Sequence, residues 1–335
     1  MKETITIKEI GRRLNISPST VSRALQNSPR IGAKTKQAVQ TLAEELQYFP
    51  NATARNLRRG KTGVIAVVLP EIRENFFSEI VNGIEEVAFA NGSTVALYQS
   101  HDRYEREKRI LETLAYNHVD GVLLSVATES RQFGHIQRLL DQGLPIVLLD
   151  RIPPGIHTHQ VECDIEKGAY DATKWLAKRG YKRIALLNGP QTLVASEERY
   201  RGYVKALIDE QLPVESCLVK RADLINMDVA EKMKQLLKTA RPDAVLAFND
   251  YVALDAMLFC RTQAERAYQA MPFVSFANLP LTSYLENPPL ASVEQYPYRM
   301  GFTAAEILLN IVTKAEYFSE LQKIVLEPEL VVRLK

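Results

Sequence analysis

The sequence predicts an all-α helix-turn-helix head followed by an α/β body of two doubly wound lobes. Three observations carry that prediction. The first is a division of charge: residues 1–61 hold 12 lysines and arginines against 4 acids, a net of +8, while the remainder holds 30 against 36, a net of −6. The second is a set of short amphipathic helix patterns, punctuated by Ser17-Pro18, that fills the first fifty residues. The third begins at Val64, where short, continuously apolar runs alternate with helix-length amphipathic stretches, the pattern of parallel sheets covered on both faces. The expected domains are a head over 1–50, a linker over 51–62 and a body over 63–335. Within the body one lobe is expected to take about 63–160 and 292–322, the other about 161–291 and 323–335.

In the head, Ile7, Ile10 and Leu14 recur at i, i+3 and i+7 as one stripe of a short helix. A turn of about four residues around Asn15-Ile16 follows. Ser17 is a good N-cap, and Pro18 suits the first helical position, where its missing N–H leaves no bond unmade. The second helix, Pro18 to Leu25, turns Val21, Ala24 and Leu25 inward and leaves Ser19, Ser22, Arg23 and Gln26 outward. A third helix, about Ala33 to Leu46, carries Val39, Leu42 and Leu46 on its inner face. In a helix-turn-helix the second helix enters the major groove of DNA. Arg23 suits a bidentate contact to guanine, Ser19 and Ser22 suit bases or phosphates, and Lys34 suits a phosphate.

The segment from Asn51 to Gly60 has a usable N-cap in Asn51 and a stop in Gly60. It is shorter than the ~12–15 residues at which an isolated helix becomes marginal in water, so a helix here needs outside support. Leu57 stands among Arg55, Arg58 and Arg59 with no evident core to enter. A minor-groove wedge flanked by phosphate-binding arginines accounts for it.

These residues carry a resemblance. Thr6-Ile7-Lys8-Glu9-Ile10, Ser17-Pro18-Ser19-Thr20-Val21-Ser22-Arg23-Ala24-Leu25-Gln26-Asn27 and Leu46 through Leu57 are similar to the N-terminal signature of the lactose/galactose-repressor (LacI/GalR) family. With the body, the likeness spans essentially the whole chain. The resemblance implies a DNA-contacting set of Thr6, Pro18, Ser19, Thr20, Ser22, Arg23, Asn27, Lys34, Asn51, Ala54, Arg55, Leu57 and Arg58. Within it, Pro18, Ser19 and Arg23 face bases, Ser22, Asn27 and Lys34 meet phosphates, and Leu57 wedges into the centre of a pseudo-palindromic operator. Pro18 departs from the polar residue often found there, so readout at that base falls to shape or a methyl contact.

In the body, strands are expected at Val64–Leu69, Thr94–Tyr98, Gly121–Val126, Ile146–Leu149, Arg183–Leu187, Ala244–Phe248 and Phe273–Phe276, with weaker ones near Val161 and Cys217. Helices are expected at Ser78–Ala90, Glu105–Tyr116, Lys167–Arg179, Tyr203–Glu210 and Val229–Leu237. The arrangement resembles a type I periplasmic-binding-protein fold. Ligands of open α/β sheets sit beyond the carboxyl ends of the strands. Those ends present Phe76, Phe77, Asp150, Arg151, Arg199, Asn249, Asp250, Ala277 and Asn278: aromatics to stack on a ring, carboxylates and an arginine to bond hydroxyls. The family's Arg-x-x-Gly-aromatic motif matches Arg199 to Tyr203, which makes Arg199 the effector-gripping arginine. The same resemblance assigns Phe76, Phe77, Asp150, Asn249 and Asp250 to the effector, and Asn278 joins them from its strand end. Where sugar-responsive relatives usually carry aspartate, this chain has Ala277.

Other classes find little support. Three scattered cysteines without Cys-x-x-Cys argue against a disulfide framework or zinc cluster and fit a reducing compartment. The longest apolar runs fall far short of the ~20 residues of a membrane span, and no signal-peptide apolar region opens the chain. None of the 15 glycines forms Gly-x-Gly, and Walker A and Gly-x-Ser-x-Gly patterns are missing. His157 and His159, read as a surface-loop pair without a third ligand, do not make a metal site. No enzyme, cofactor or membrane association is therefore expected. Without a heptad tail, a homodimer is expected on a duplex operator, with a small polar effector between the lobes. An architectural DNA binder with a dimerising body, and a small-molecule carrier with an incidental basic arm, are the rival readings.

Overall fold

The computed structural model describes residues 5–25, 27–48, 61–224, 228–314 and 320–333. The chain divides into two compact units, Met1–Thr62 and Gly63–Lys335.

The first unit holds α1 (Ile7–Leu14), α2 (Pro18–Leu25) and α3 (Ala33–Glu45). Thr6 caps α1, its hydroxyl accepting from the Glu9 N–H at 3.4 Å, and Asn15 ends the helix in the left-handed region at φ 52°. The Glu9 carboxylate takes Arg12 and Arg13 at 2.9 Å, and those two hydrogen bonds pull its pKa down to about 2. Ser17 caps α2 as expected, accepting from the Thr20 N–H at 3.1 Å. Ile10, Val21, Ala24, Val39 and Ala43 form the core, with Ile7, Leu14, Ile16, Leu25, Leu42 and Leu46 around it. The turn between α1 and α2 is one residue shorter than expected, because Pro18 already belongs to the helix. It is also tight: a Cβ on Gly11 would stand 2.7 Å from the Ile16 carbonyl oxygen, so only glycine lets α1 pass the turn this closely.

The second unit has two six-stranded sheets. Its strands are β1 (Val64–Leu69), β2 (Thr94–Gln99), β3 (Gly121–Leu124), β4 (Ile146–Leu149), β5 (His159–Cys163), β6 (Ile184–Asn188), β7 (Val219–Arg221), β8 (Ala244–Ala247), β9 (Phe273–Phe276), β10 (Ala291–Glu294), β11 (Lys323–Leu326) and β12 (Glu329–Val332). The first sheet runs β11-β5-β4-β3-β1-β2 and the second β12-β10-β9-β8-β6-β7. Pairing is parallel throughout except between β10 and β12. β1, β3, β4, β6, β8 and β9 are apolar and buried almost without a break, as sheets covered on both faces require.

The helices are α4 (Asn75–Ala90), α5 (Tyr104–Tyr116), α6 (Gly134–Asp141), α7 (Ile165–Lys178), α8 (Val194–Asp209), α9 (Val229–Thr239), α10 (Asp250–Arg261), α11 (Arg266–Gln269) and α12 (Pro297–Lys314). Several lie outside the segments that the sequence pattern picks out. The largest difference is α8, which starts nine residues before the expected Tyr203. Its first turns are polar, yet Ser196 and Arg199 are buried; a helix whose inner face is polar shows no apolar periodicity.

Sheet membership also moves the lobe boundaries. β5 and β11 belong to the first sheet and β10 to the second. The chain therefore crosses three or four residues later than the expected divisions at 160, 291 and 322. The C-terminal segment forms two strands in different sheets, parted at Glu327-Pro328, where proline cannot donate to a ladder. His159, expected in a surface loop, lies buried in β5 with its Nδ1 accepting from the Gln322 N–H at 3.1 Å.

Candidate DNA-reading face and effector cavity

On the head, the amphipathic split of α2 sends Val21 and Ala24 into the core and leaves Pro18, Ser19 and Arg23 exposed, with Thr20 and Ser22 half-buried. The hydroxyls gather at the helix start: Ser17 Oγ lies 2.7 Å from Ser19 Oγ and 2.8 Å from Thr20 Oγ1. The N–H groups of a helix start attract anions, so this cluster suits a phosphate-rich surface. Asn27 turns the chain out of α2 at φ 53°, and its carbonyl accepts from Lys36 Nζ at 3.1 Å. Lys34 is exposed at the start of α3. Arg23 has no ion-pair partner among the described residues, which leaves its fork free for a base edge or phosphate. Thr6 already serves as the α1 cap. Asn51, Ala54, Arg55, Leu57 and Arg58 lie outside the described residues.

In the body, a cavity of about 60 Å³ opens at the carboxyl ends of both sheets. Phe76 and Phe77 reach it from the start of α4, Asp150 from the end of β4, Arg199 from α8, Phe248 and Asn249 from the end of β8, and Ala277 from the end of β9. Drug-sized ligands occupy roughly 300–1,000 Å³, so the cavity as it stands is smaller than such a ligand needs.

Arg199 dominates the chemistry. Its guanidinium carbon lies 4.0 Å from the Phe248 ring centroid and 4.2 Å from that of Phe276. Nη1 donates to the Ala195 carbonyl at 3.2 Å, and the buried Nε has no hydrogen-bond partner. Burial brings its pKa down to about 10. The position follows from Gly202, three residues on, where a Cβ would stand 2.1 Å from the Glu166 carbonyl oxygen. That missing side chain lets α8 press on α7, while Tyr203 is buried and donates to the Ile184 carbonyl at 2.8 Å. The Arg-x-x-Gly-Tyr pattern is thus one cavity-facing residue and two packing residues.

Asp150 sits at φ 61° with Ser125 Oγ at 3.4 Å and Arg151 Nε at 3.8 Å. Burial pushes its carboxyl above the usual range, with Arg151 and Arg199 pulling the other way. Asn249 accepts from the Val252 N–H at 3.0 Å and so caps α10 while lining the cavity.

Two residues expected at the effector stand behind the wall instead. Asp250 is fully buried and accepts from Ser275, from Ser292 Oγ at 2.9 Å and from the Leu279 N–H at 2.6 Å, with Arg333 Nη2 at 3.6 Å. Asn278 donates to Glu294 at 2.9 Å and accepts from Arg333 at 2.9 Å. Together they clamp the turn that carries Ala277. Lining residues missed by sequence reasoning include Glu74, Phe248, Tyr251, Leu279 and Gln295. Glu74, Phe248 and Tyr251 lie within two residues of strand-end positions the sequence did single out; Gln295 follows β10, which the apolar pattern does not delimit.

A small helix-turn-helix with an outward polar face, and a bilobal α/β body with a polar cavity, define a ligand-sensing DNA-binding regulator. Comparison with known proteins carries this further. Residues 6–51 match the family described as "Bacterial regulatory proteins, lacI family", and residues 62–327 match "Periplasmic binding proteins and sugar binding domain of LacI family". The chain belongs to the LacI family and is a DNA-binding transcriptional repressor with a small-molecule effector. The transcriptional repressor PurR of Vibrio cholerae serotype O1 is 30% identical over 98% of this chain and 97% of its own length. The repressor CytR of Escherichia coli K12 is 30% identical over 91% and 89%. Among solved structures, a CelR–cellobiose complex has 29% identity and a TM-score of 0.73 over 98% and 99% of the two chains. A lac repressor dimer bound to operator and an anti-inducer has 23% identity and a TM-score of 0.86, over 99% and 98%, a likeness of fold. No helix among the described residues is long and apolar enough to cross a membrane.

Proposed function

We propose that the cavity around Arg199 is the effector site, that Pro18, Ser19 and Arg23 read bases, and that Ser22, Asn27 and Lys34 hold phosphates. The protein then works in the cytoplasm as a homodimer on a pseudo-palindromic duplex. The observation that carries the effector assignment is the buried guanidinium of Arg199, held between two rings with its Nε unpaired. A buried guanidinium N–H without an acceptor is costly; a ligand oxygen supplies the one that Nε lacks.

The cavity draws Phe76, Phe77 and Asp150 from the lobe of the first sheet and Arg199, Phe248 and Asn249 from that of the second. A ligand that bonds both favours the closed arrangement. In a dimer, closure of each body changes the separation of the two heads, and coupling of this kind is typically about 1–3 kcal/mol. The polar strand ends disfavour the purely architectural reading, and the free Arg23 fork disfavours a carrier.

The DNA assignment is tested by selecting operator sequences with the wild-type chain and two variants. Arg23→Ala relaxes preference at one base position, at about 1–3 kcal/mol. Lys34→Ala weakens all sequences alike and lowers the salt dependence by about one phosphate contact. Unchanged base preference in Arg23→Ala refutes the readout assignment.

A further inference from the structure

Four charged side chains line the cavity, Glu74, Asp150, Arg151 and Arg199, and they cancel by number. Asp102, paired with Arg151, tips the set to an excess of one negative charge, which indicates what kind of molecule fits, and the inference rests on the cavity being the effector site. Arg151 is already paired, with Nη1 2.5 Å from Asp102 Oδ1 and 2.9 Å from Thr128 Oγ1. Asp102 also accepts from Thr128 N–H and Oγ1 at 2.8 and 2.7 Å. That leaves Glu74 and Asp150 against Arg199. Glu74 occupies the N-cap position of α4 without capping it: its backbone carbonyl accepts from the Phe77 and Ser78 N–H groups, and its carboxylate makes no cap bond. The carboxylate lines the cavity with no hydrogen bond or ion pair among the described residues. Desolvation raises its pKa, and Asp150 is close enough to add to the effect. Among the described residues, Asp150 has only the long contacts to Ser125 and Arg151.

Two acceptor-only carboxylates thus face one guanidinium whose Nε is buried and unpaired. A neutral sugar leaves one negative charge uncompensated in a closed site, and a sugar phosphate or sugar acid adds repulsion. We propose that the effector is a compact polyhydroxylated cation, an amino sugar or an amine of that size, with its ammonium toward Glu74 and Asp150 and an oxygen toward Arg199. Phe76, Phe77 and Phe248 supply apolar ring faces for the carbon skeleton and π-faces for the cation.

The test is calorimetric titration of the full chain at pH 7 with D-glucosamine, D-galactosamine and D-mannosamine, each against its neutral parent and N-acetyl form. The expected result is at least one amine binding about 10-fold or more tighter than its parent, as a hydrogen bond between charged groups provides. Glu74→Gln brings amine and parent to within about 3-fold of one another, a difference below one charged hydrogen bond. A thermal melt shows whether that variant folds; relieved of an unpaired carboxylate, it is expected to melt no lower than wild type. Failure of all three amines to bind, tighter binding of any neutral or N-acetyl form than of its amine, or a preference that survives Glu74→Gln overturns the proposal. A neutral ligand that binds and is lost in Arg199→Met leaves the effector site standing without the amine. An amine whose affinity is untouched by both variants removes the site assignment as well.

Discussion

Asp250 is bonded into the wall of the cavity, and a wall role differs measurably from a ligand-binding role in what removal of the side chain does to stability. In Asp250→Ala, the Ser275 and Ser292 hydroxyls and the Leu279 N–H lose their acceptor, and Arg333 loses the carboxylate 3.6 Å away. Asp250, Ser275 and Ser292 have no solvent exposure, and the Arg333 side chain is 13% exposed. Removing one partner of a buried ion pair costs about 3–5 kcal/mol, because the other charge is left uncompensated. For a domain of this size, 1 kcal/mol moves Tm by roughly 2–4 °C, so a fall of about 6–20 °C is expected. Trp175, the single tryptophan, lies half-buried in the body with Arg179 stacked 3.5 Å from its ring centroid, which makes intrinsic fluorescence a reporter of body unfolding. Asp250→Ala combined with Arg333→Met should recover part of the loss, since the orphaned cation is gone as well. A loss below about 1 kcal/mol, in the range of ordinary surface substitutions, together with abolished ligand binding would refute the reasoning and return Asp250 to the effector.

Arg199→Met keeps a long apolar stem between Phe248 and Phe276 and deletes the donors. Whichever compound stabilises the wild type in a thermal-shift screen should bind about 10- to 150-fold more weakly by calorimetry, with ligand-free operator affinity by fluorescence anisotropy little changed. Glu74 and Asp150 set a pH dependence. Their folded pKa values are raised, so at neutral pH both groups detract from stability, and that cost is relieved as pH falls through the raised values toward the ordinary carboxylate range. The groups facing Glu74 are Arg151, Asp102, Asp150 and Glu71; Asp102 is lowered and contributes the opposite slope. The difference between wild type and Glu74→Gln in urea midpoints should therefore shrink from pH 7 toward pH ~4.5, the ordinary carboxylate range; a constant difference would count against an unpaired Glu74. Gly11→Ala forces a Cβ to within 2.7 Å of a backbone oxygen and should cost the head about 1–3 kcal/mol, read by hydrogen exchange at Val21 and Val39.

Much of this was legible in the sequence, for physical reasons that differ between segments. The head declares itself through local chemistry: Ser17 and Pro18 start a helix by capping, and Ile10, Val21 and Val39 mark the core by period. The parallel strands declare themselves because burial on both faces leaves no polar position in runs such as Val64–Leu69. What resists reading is polarity turned inward. The first turns of α8 look like a charged loop until Arg199 and Ser196 are seen to be buried. Asp250 and Asn249 are adjacent and equally polar, yet one faces the cavity and the other the wall, because Asn249 is extended before α10 and Asp250 is its first residue. Glu74 is quieter still: it carries no periodic signal, and only the closed cavity shows that its carboxylate is unmatched.

The same inward polarity explains how a ligand can matter to so well packed a body. β9 and β10 bring Ser275 and Ser292 to Asp250, and Arg333 just beyond β12 completes that wall. That wall ties Ala277 and the α10 start to β9, β10 and the residue after β12. Among the described residues, two unmatched groups lie across the gap, where Arg199 Nε has no acceptor and the Glu74 carboxylate no donor. These two belong to different lobes, one on α8 and the other before α4. A ligand that satisfies only one of them gains affinity without favouring closure; one that satisfies both gains its second contact only when the lobes are together. By linkage, the compound that shifts the conformation is the one that offers a cationic donor at one end and an acceptor oxygen at the other, and a molecule bound solely through Arg199 should occupy the cavity while leaving operator affinity unchanged.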